Sequence, residues 1–392
     1  MGDVMLPDAA WRRRPGLDRI AAALGAGEGQ ARYVGGAVRD TLLGLDVADI
    51  DIATRHAPDQ VVARLEAAGI RAVPTGIAHG TVTAIADGTM VEVTTLRRDL
   101  ATDGRHATVA YTDDWREDAA RRDFTINALY ADPVGGRVFD WHDGLADLAA
   151  RRVRFIGDPY RRIAEDHLRI LRFFRFHARF GDAIDADGLA ACVDRANDLM
   201  ALSRERIAAE LLKLLVAPGA VPVMALMVER GILRPVLPEI TDTAPLAALA
   251  AREADAGVAP DAVRRLASLI APADAESVGA RLKLSNADRK RLAAAHDGPG
   301  PEDARALAYR VGPAIAIDRL LLAGERVAAI LGWSPPRLPV GGGAIVARGV
   351  AKGPEVARLL RQIETEWIRR GFPDAAATDA IVDQLLRAHS SA

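Results

Sequence analysis

The hydrophobic pattern changes period once along this chain, near residue 150, and that change restricts it to an α+β architecture in two unlike parts. Before it, short runs rich in β-branched residues at 72–73, 81–85, 91–95 and 137–139 are punctuated by glycines and by one helical stretch at 58–68. After Pro159 the strand signals fade. Apolar positions then recur at helical spacing over 163–180, 204–216, 221–230, 261–270 and 302–311. Pro/Gly clusters at 298–301 and 334–343 read as joints between helical subdomains. At 392 residues the chain exceeds one ordinary core, so about two to four domains are expected.

Within the first part, Gly35-Gly36-Ala37-Val38-Arg39-Asp40 precedes Asp49-Ile50-Asp51-Ile52. If residues 49–52 form a strand, the two carboxylates at i and i+2 share one face and can converge on a hard divalent cation, while Ile50 and Ile52 face the core. The glycines let backbone N–H groups approach an anion, and Arg39 with the start of a helix running to about Leu43 adds positive potential. A carboxylate pair beside an anion cradle points to metal-bound phosphate.

Two further clusters follow. Arg121-Arg122-Asp123-Phe124-Thr125-Ile126-Asn127 supplies a bidentate phosphate donor and side chains able to hold ribose hydroxyls, although the same residues fit a surface ion pair capping a helix. Glu165-Asp166-His167-Leu168-Arg169, with Arg172 and Arg175, reads as part of a single helix in which Asp166 and Arg169 are neighbours on one face. That face can offer an acceptor and a donor to the edge of a base. A helix laced by i,i+3 and i,i+4 salt bridges is the alternative.

Formal charge is −2 overall, which argues against a general nucleic-acid coat. Locally, residues 151–180 carry nine arginines against Asp158, Glu165 and Asp166, a net of +6. This stretch is either a nucleic-acid surface or a solvated helix face. No apolar run reaches the roughly 18 residues of a membrane span, and Asp3, Pro7 and Asp8 interrupt any signal-peptide core, so a cytoplasmic location is expected. The single cysteine, Cys192, is expected to pack in a core.

Taken in order, the clusters resemble the class II tRNA nucleotidyltransferase and bacterial poly(A) polymerase family of the polymerase-β-type superfamily. The resemblance runs over about residues 30–240. It rests on Gly35-Gly36 through Asp40 with Asp49 and Asp51, then Arg121-Arg122-Asp123 with Asn127, then Asp143-Gly144 through Asp147-Leu148. It continues through Glu165-Asp166 with Arg169, Arg172 and Arg175, and ends at Ser203-Arg204-Glu205-Arg206-Ile207 with Glu210. The resemblance implies a small nucleotidyltransferase head (1–150) with a mixed sheet, followed by an all-helical neck (151–240), body (241–330) and tail (331–392).

It also implies template-independent addition of CMP, CMP and AMP from CTP and ATP to the 3′ end of tRNA. Asp49 and Asp51 would hold Mg²⁺, while Gly36 and Arg39 would bind the triphosphate. Arg122 would contact the nucleotide, and Asp123 and Asn127 the ribose. Asp166 and Arg169 would read the base, with Arg172 and Arg175 completing the pocket. A third carboxylate on a neighbouring strand is common in such chemistry, and Glu92, between Val91 and Val93, is the candidate, unless it is merely an exposed strand residue.

Partial CC or A addition and poly(A) synthesis share these motifs. Residues 97–106 resemble the loop of members that add the terminal A, and Ala48-Asp49-Ile50-Asp51 departs from the Lys-Asp-Phe-Asp version of the poly(A) enzymes, so CCA addition leads. The arginine-rich stretch and the helical body would hold tRNA, residues 341–372 are expected to pack as a cap, and no protein partner is implied. His142-Asp143 and His296-Asp297 lack the neighbouring histidines of an appended phosphohydrolase. A non-catalytic RNA-binding relative would have lost one of the aspartates.

Overall fold

The computed structural model describes residues 4–77, 80–102 and 107–390. The chain forms two compact units, Met1–Pro238 and Glu239–Ala392. The loop resemblance at 97–106 falls partly on residues 103–106, outside the described residues.

Among the described residues of the first unit nine strands form: β1 (Ala31–Val34), β2 (Asp51–Thr54), β3 (Arg71–Gly76), β4 (Thr81–Ala86), β5 (Thr89–Thr95), β6 (Arg97–Thr102), β7 (Ala107–Tyr111), β8 (Tyr130–Ala131) and β9 (Val138–Phe139). Seven build one mixed sheet in the order β3-β4-β5-β2-β1-β8-β9, and β6 pairs with β7 apart from it. Only β2 and β5 run parallel; the other pairings in the sheet are antiparallel. The period-2 pattern of β4 and β5 sends Val82, Ala84, Ala86, Val91 and Val93 into the core. Helices Leu17–Ala23 and Pro58–Ala67 cover that face. The first begins at Gly16, whose φ of +78° suits glycine and whose added Cβ would stand 2.6 Å from Ala86 Cβ.

From Pro159 onward every described regular element is helical. The expected single helix over 163–180 is, however, two. Pro159–Glu165 ends at Asp166, which takes an extended conformation (φ −154°, ψ 108°), and Arg169–Phe180 starts afresh. The Asp166 carboxylate accepts the Leu168 N–H and its carbonyl accepts the Arg169 N–H, so a short polar side chain offers the backbone a turn in place of a continued helix. The second helix buries Ile170, Leu171, Phe173, Phe174 and Phe176 against Phe124, Phe155 and helix Arg204–Leu215. Arg169, Arg172, Arg175 and Arg179 occupy its other side. Cys192 is fully buried, and burial pushes its thiol pKa up.

The second unit packs helices Ala244–Asp255, Ala304–Val311 and Pro313–Ala323 around Leu249, Leu307, Ala316 and Leu320. Residues 341–372 pack as a cap, although Gly349 and Gly353 split them into Gly342–Ala347 and Pro354–Arg369, which close over Ile345, Leu359, Ile363 and Trp367. No described helix is long and apolar enough to cross a membrane.

Candidate active site

Strand β1 ends at Val34, and the chain turns through Gly35 with φ 67° and ψ −121°, a backbone state that glycine alone enters without strain, before helix Gly36–Leu42 begins. The return strand β2 opens at Asp51. Ile50 (2% exposed) and Ile52 lie beneath it in the core, while Asp49 is exposed two residues ahead of the strand rather than on it. In the parallel pairing Asp51 stands directly beside Glu92, and Glu92 N–H donates to the Ile50 carbonyl at 3.0 Å. Asp49, Asp51 and Glu92 line one open cavity of about 900 Å³.

Burial, then the Glu92 charge, pushes the Asp51 pKa up to about 6, with Asp49 adding to the rise and Arg122 opposing it. Among the described residues no three Asp, Glu, His or Cys side chains already form a metal-holding cluster. The donor set nevertheless fits a hard divalent cation, because such an ion would offset the burial and the like-charge repulsion that together raise Asp51. Arg14, which nothing local in the sequence marks, donates to the Val47 and Ala48 carbonyls at 2.8 and 3.1 Å and so fixes the loop just ahead of Asp49.

Arg122 also belongs to this centre. Its Nη1 lies 3.6 Å from where a Cβ on Gly35 would stand, while Nε donates to Tyr130 Oη at 3.0 Å and Nη2 to Asp118 at 3.1 Å. One guanidinium edge is thereby anchored behind the glycine turn while its charge acts on Asp51.

Arg39, expected to face a triphosphate, is instead buried. Its Nε donates to Asp40 at 2.7 Å, Nη1 donates to Asn127 Oδ1, and the guanidinium lies 4.2 Å over Phe180. Asn127 passes the connection on by donating to Asp123 at 3.0 Å. Asp123, 8% exposed, also accepts from Phe124 N–H and from Arg172 Nε and Nη2 at 2.8 and 2.6 Å. Burial alone would raise the Asp123 pKa, but the Arg172 charge and the Asn127 and Arg172 hydrogen bonds hold it near 2. Arg175 donates to Glu210 at 2.5 Å. Asp123, Asn127, Arg172 and Arg175, expected around a ribose and a base, thus form a frame that ties the glycine turn to helices Arg169–Phe180 and Arg204–Leu215.

The base-reading pair also differs from expectation, because the break at Asp166 removes it from the helix face of Arg169. Arg169 spends three of its five N–H groups on Arg162 O, Glu165 Oε2 and Arg121 O, at 2.9, 2.6 and 3.0 Å. Asp166 is held by Arg206, whose Nη2 reaches both carboxylate oxygens at 3.0 and 2.8 Å. Both side chains remain about one third exposed. Arg206→Ala is therefore expected to lower kcat/KM for nucleotide about tenfold and to weaken discrimination between bases, whereas Arg206→Lys restores part of both. Competition between CTP and UTP for incorporation measures it, and unchanged discrimination would remove Arg206 from base selection.

All nine arginines of 151–180 are ion-paired: Arg151 to Asp182, Arg152 and Arg154 to Asp147, Arg161, Arg162 and Arg169 to Glu165, Arg172 to Asp123, Arg175 to Glu210 and Arg179 to Asp40. The net of +6 counted along the chain is thus largely neutralised, because most partners lie outside the window.

A carboxylate pair where β2 and β5 run parallel, a glycine turn backed by an arginine and a partly exposed aspartate ahead of a helix form a centre suited to nucleotidyl transfer. Residues 31–154 match the family described as Poly A polymerase head domain, and residues 183–243 match Probable RNA and SrmB- binding site of polymerase A. The chain is 36% identical over 375 residues to human CCA tRNA nucleotidyltransferase 1, mitochondrial, covering 88% of this chain and 84% of that one. It is 34% identical to the mouse protein of the same name over 380 residues, covering 91% and 87%. The crystal structure of Bacillus stearothermophilus CCA-adding enzyme in complex with CTP shares the fold with a TM-score of 0.68 at 24% identity, covering 97% of this chain and all of that one. The chain belongs to the tRNA nucleotidyltransferase and poly(A) polymerase family.

Proposed function

We propose that this protein adds CMP, CMP and AMP, drawn from CTP and ATP, to the 3′ end of tRNA without a nucleic-acid template. The observation that carries the reading is Asp51, paired with Glu92 across the parallel strands and within the field of the Arg122 charge that stands against the glycine turn, with its pKa pushed up to about 6. A carboxylate so burdened is suited to a cation that arrives with a nucleotide triphosphate. Asp49, Asp51 and Glu92 would hold Mg²⁺, which when bound makes the primer hydroxyl a better nucleophile and screens phosphate charge. Gly36 at the helix start and Arg122 would orient the triphosphate. The primer 3′-oxygen forms a bond to the α-phosphorus, the α–β phosphoanhydride bond breaks, pyrophosphate leaves, and the hydroxyl proton passes to water.

Asp166 and Arg169 would read the Watson–Crick edge of C or A, rejecting other bases by leaving half-buried polar groups unpaired. Arg39, Asp123, Asn127, Arg172 and Arg175 would act one step back, by fixing the turn and the helix. In this reading residues 1–150 form the catalytic head, 151–240 the neck, 241–330 the tRNA-binding body and 331–392 the tail. The compartment is taken as the cytoplasm, against the mitochondrial location in the names of the mouse and human relatives.

The test uses tRNA ending at the discriminator base, at the first C and at the second C, each offered CTP or ATP alone. CCA addition gives CMP on the first two and a single AMP on the third. Long A runs would replace this reading by poly(A) synthesis, and a stop after CC or after A alone would replace it by partial addition.

A further inference from the structure

The sheet face bearing the carboxylates continues outward across β5, β4 and β3 as an open floor. Alternation along these strands puts Glu92 and Met90, Thr83 and Ile85, and Arg71, Val73 and Thr75 along the same 900 Å³ cavity that reaches Asp49 and Asp51. Their register forms two rungs. Val73 pairs with Thr83, Thr83 with Glu92 and Glu92 with Asp51; one step along, Arg71 pairs with Ile85 and Ile85 with Met90.

A solvated sheet face ordinarily alternates to polar residues. Here the second rung carries the apolar Ile85 and Met90 beside Arg71, and Met90, at its β5 end, stands 65% exposed. Arg71, exposed at one margin, and Arg14, beside Ala48 at the other, bracket the strip with positive charge. The acidic groups lining this cavity are Asp49, Asp51 and Glu92, gathered at one end.

In-line transfer places the attacking hydroxyl and the departing pyrophosphate on opposite sides of the α-phosphorus. Arg122 stands against the Gly35 turn and its charge acts on Asp51, and neither the turn nor Arg122 lines this cavity. If the triphosphate lies on the glycine side, the primer has to arrive from the cavity. We infer that the open face of β3, β4 and β5 seats the single-stranded 3′-terminal nucleotides of the RNA acceptor, with Met90 and Ile85 as a platform for a base and Arg71 for a backbone phosphate. This rests on the proposed function, since it takes the carboxylates as the transfer centre. An apolar platform suits a site that must accept first the discriminator base and then C, because stacking tolerates any base while edge recognition does not. Thr75 and Thr83, hydrogen-bonded to each other at 2.9 Å, add hydroxyls to the same floor.

The experiment has two arms. The full-length wild-type chain is photo-cross-linked to tRNA whose discriminator position carries 4-thiouridine, and the modified peptide is mapped. Attachment within Thr89–Thr95 or Arg71–Gly76 supports the seat, and attachment confined to the helices after Pro159 overturns it. Met90→Asp and Arg71→Glu, both at exposed positions, are then assayed for CMP incorporation. The expected result is a KM for tRNA raised about tenfold with the KM for CTP changed by less than about twofold. An unchanged tRNA KM, or an equal rise for CTP, overturns the assignment. Wild type that incorporates no nucleotide would overturn the proposed function, and the cross-link would still report whether RNA lies on this face.

Discussion

Asp51→Ala is expected to reduce nucleotide incorporation by at least about 10³-fold while leaving the fold intact, the magnitude typical of losing a group that stabilises charge in phosphoryl transfer. The side chain is one of two carboxylates side by side across a parallel strand pair, so an alanine there removes a ligand without opening the core, which is filled by Ile50 and Ile52. Asp51→Asn separates chemistry from stability. With the folded pKa near 6 against an ordinary 3.8, the folded state binds more protons than the unfolded state between those values, so stability falls as pH rises from about 4 to 6 and stays lower above. The asparagine variant is spared that penalty and should be more stable than wild type at pH 7.5 by about 1–2 kcal/mol, after allowance for partial solvent exposure.

Mg²⁺ should raise the thermal midpoint of wild type through binding to the native state and should do so far less in Asp51→Asn. Calorimetry of both proteins with and without Mg²⁺ gives the comparison. A midpoint that Mg²⁺ raises equally in the two would remove Asp51 from the metal site.

The centre was legible in sequence because its parts are local. Asp49 and Asp51 lie two residues apart, Gly35 and Gly36 are adjacent, and the alternation around Glu92 identifies its strand and its outward direction. What stayed hidden is pairwise and long-range. Arg39 looks like a phosphate ligand until Asn127, 88 residues away, takes its guanidinium, and Arg179 looks free until Asp40, 139 residues away, meets it. Charge counted in a window cannot register such partners, which is why 151–180 looked like a basic surface. The break at Asp166 was hidden for a different reason. Ile163, Ile170 and Phe174 keep a helical period straight across it, so the apolar pattern fits one helix, and the turn is set by the bonds from Leu168 N–H and Arg169 N–H to Asp166, which no apolar pattern records. Arg14 had no signal, because it acts on a group 33 residues distant, and Arg206 stood in the motif at 203–207 without a role, because its partner Asp166 lies 40 residues back.

Asp123→Ala is expected to be the most destabilising single change near the site, at about 3–5 kcal/mol, since removing one partner of a buried ion pair leaves the other charged and unsatisfied. Arg172 would lose both bonds to Asp123, Asn127 its acceptor, and Phe124 N–H its cap. Arg172 also stands 3.7 Å from Glu210, so part of its charge stays compensated, which places the loss toward the lower end of that range. The pH dependence distinguishes this ion pair from simple packing. A folded pKa near 2 lies below the ordinary 3.8, so the Asp123 contribution is complete above about pH 4 and is lost as pH falls through 2. Urea titrations at pH 7 and pH 3 should therefore show a smaller difference between wild type and Asp123→Ala at the lower pH; an equal difference would mean that the lost stability is steric. Asp123→Asn keeps an acceptor oxygen in nearly the same volume and should recover the part due to Phe124 and Asn127 but not the part due to Arg172. Because Arg172 sits one turn beyond Arg169 on helix Arg169–Phe180, the alanine variant should also raise the KM for CTP. A variant that loses stability yet keeps its wild-type KM would show that the frame supports the fold alone and leaves base selection to Asp166 and Arg169, with Arg206 holding Asp166.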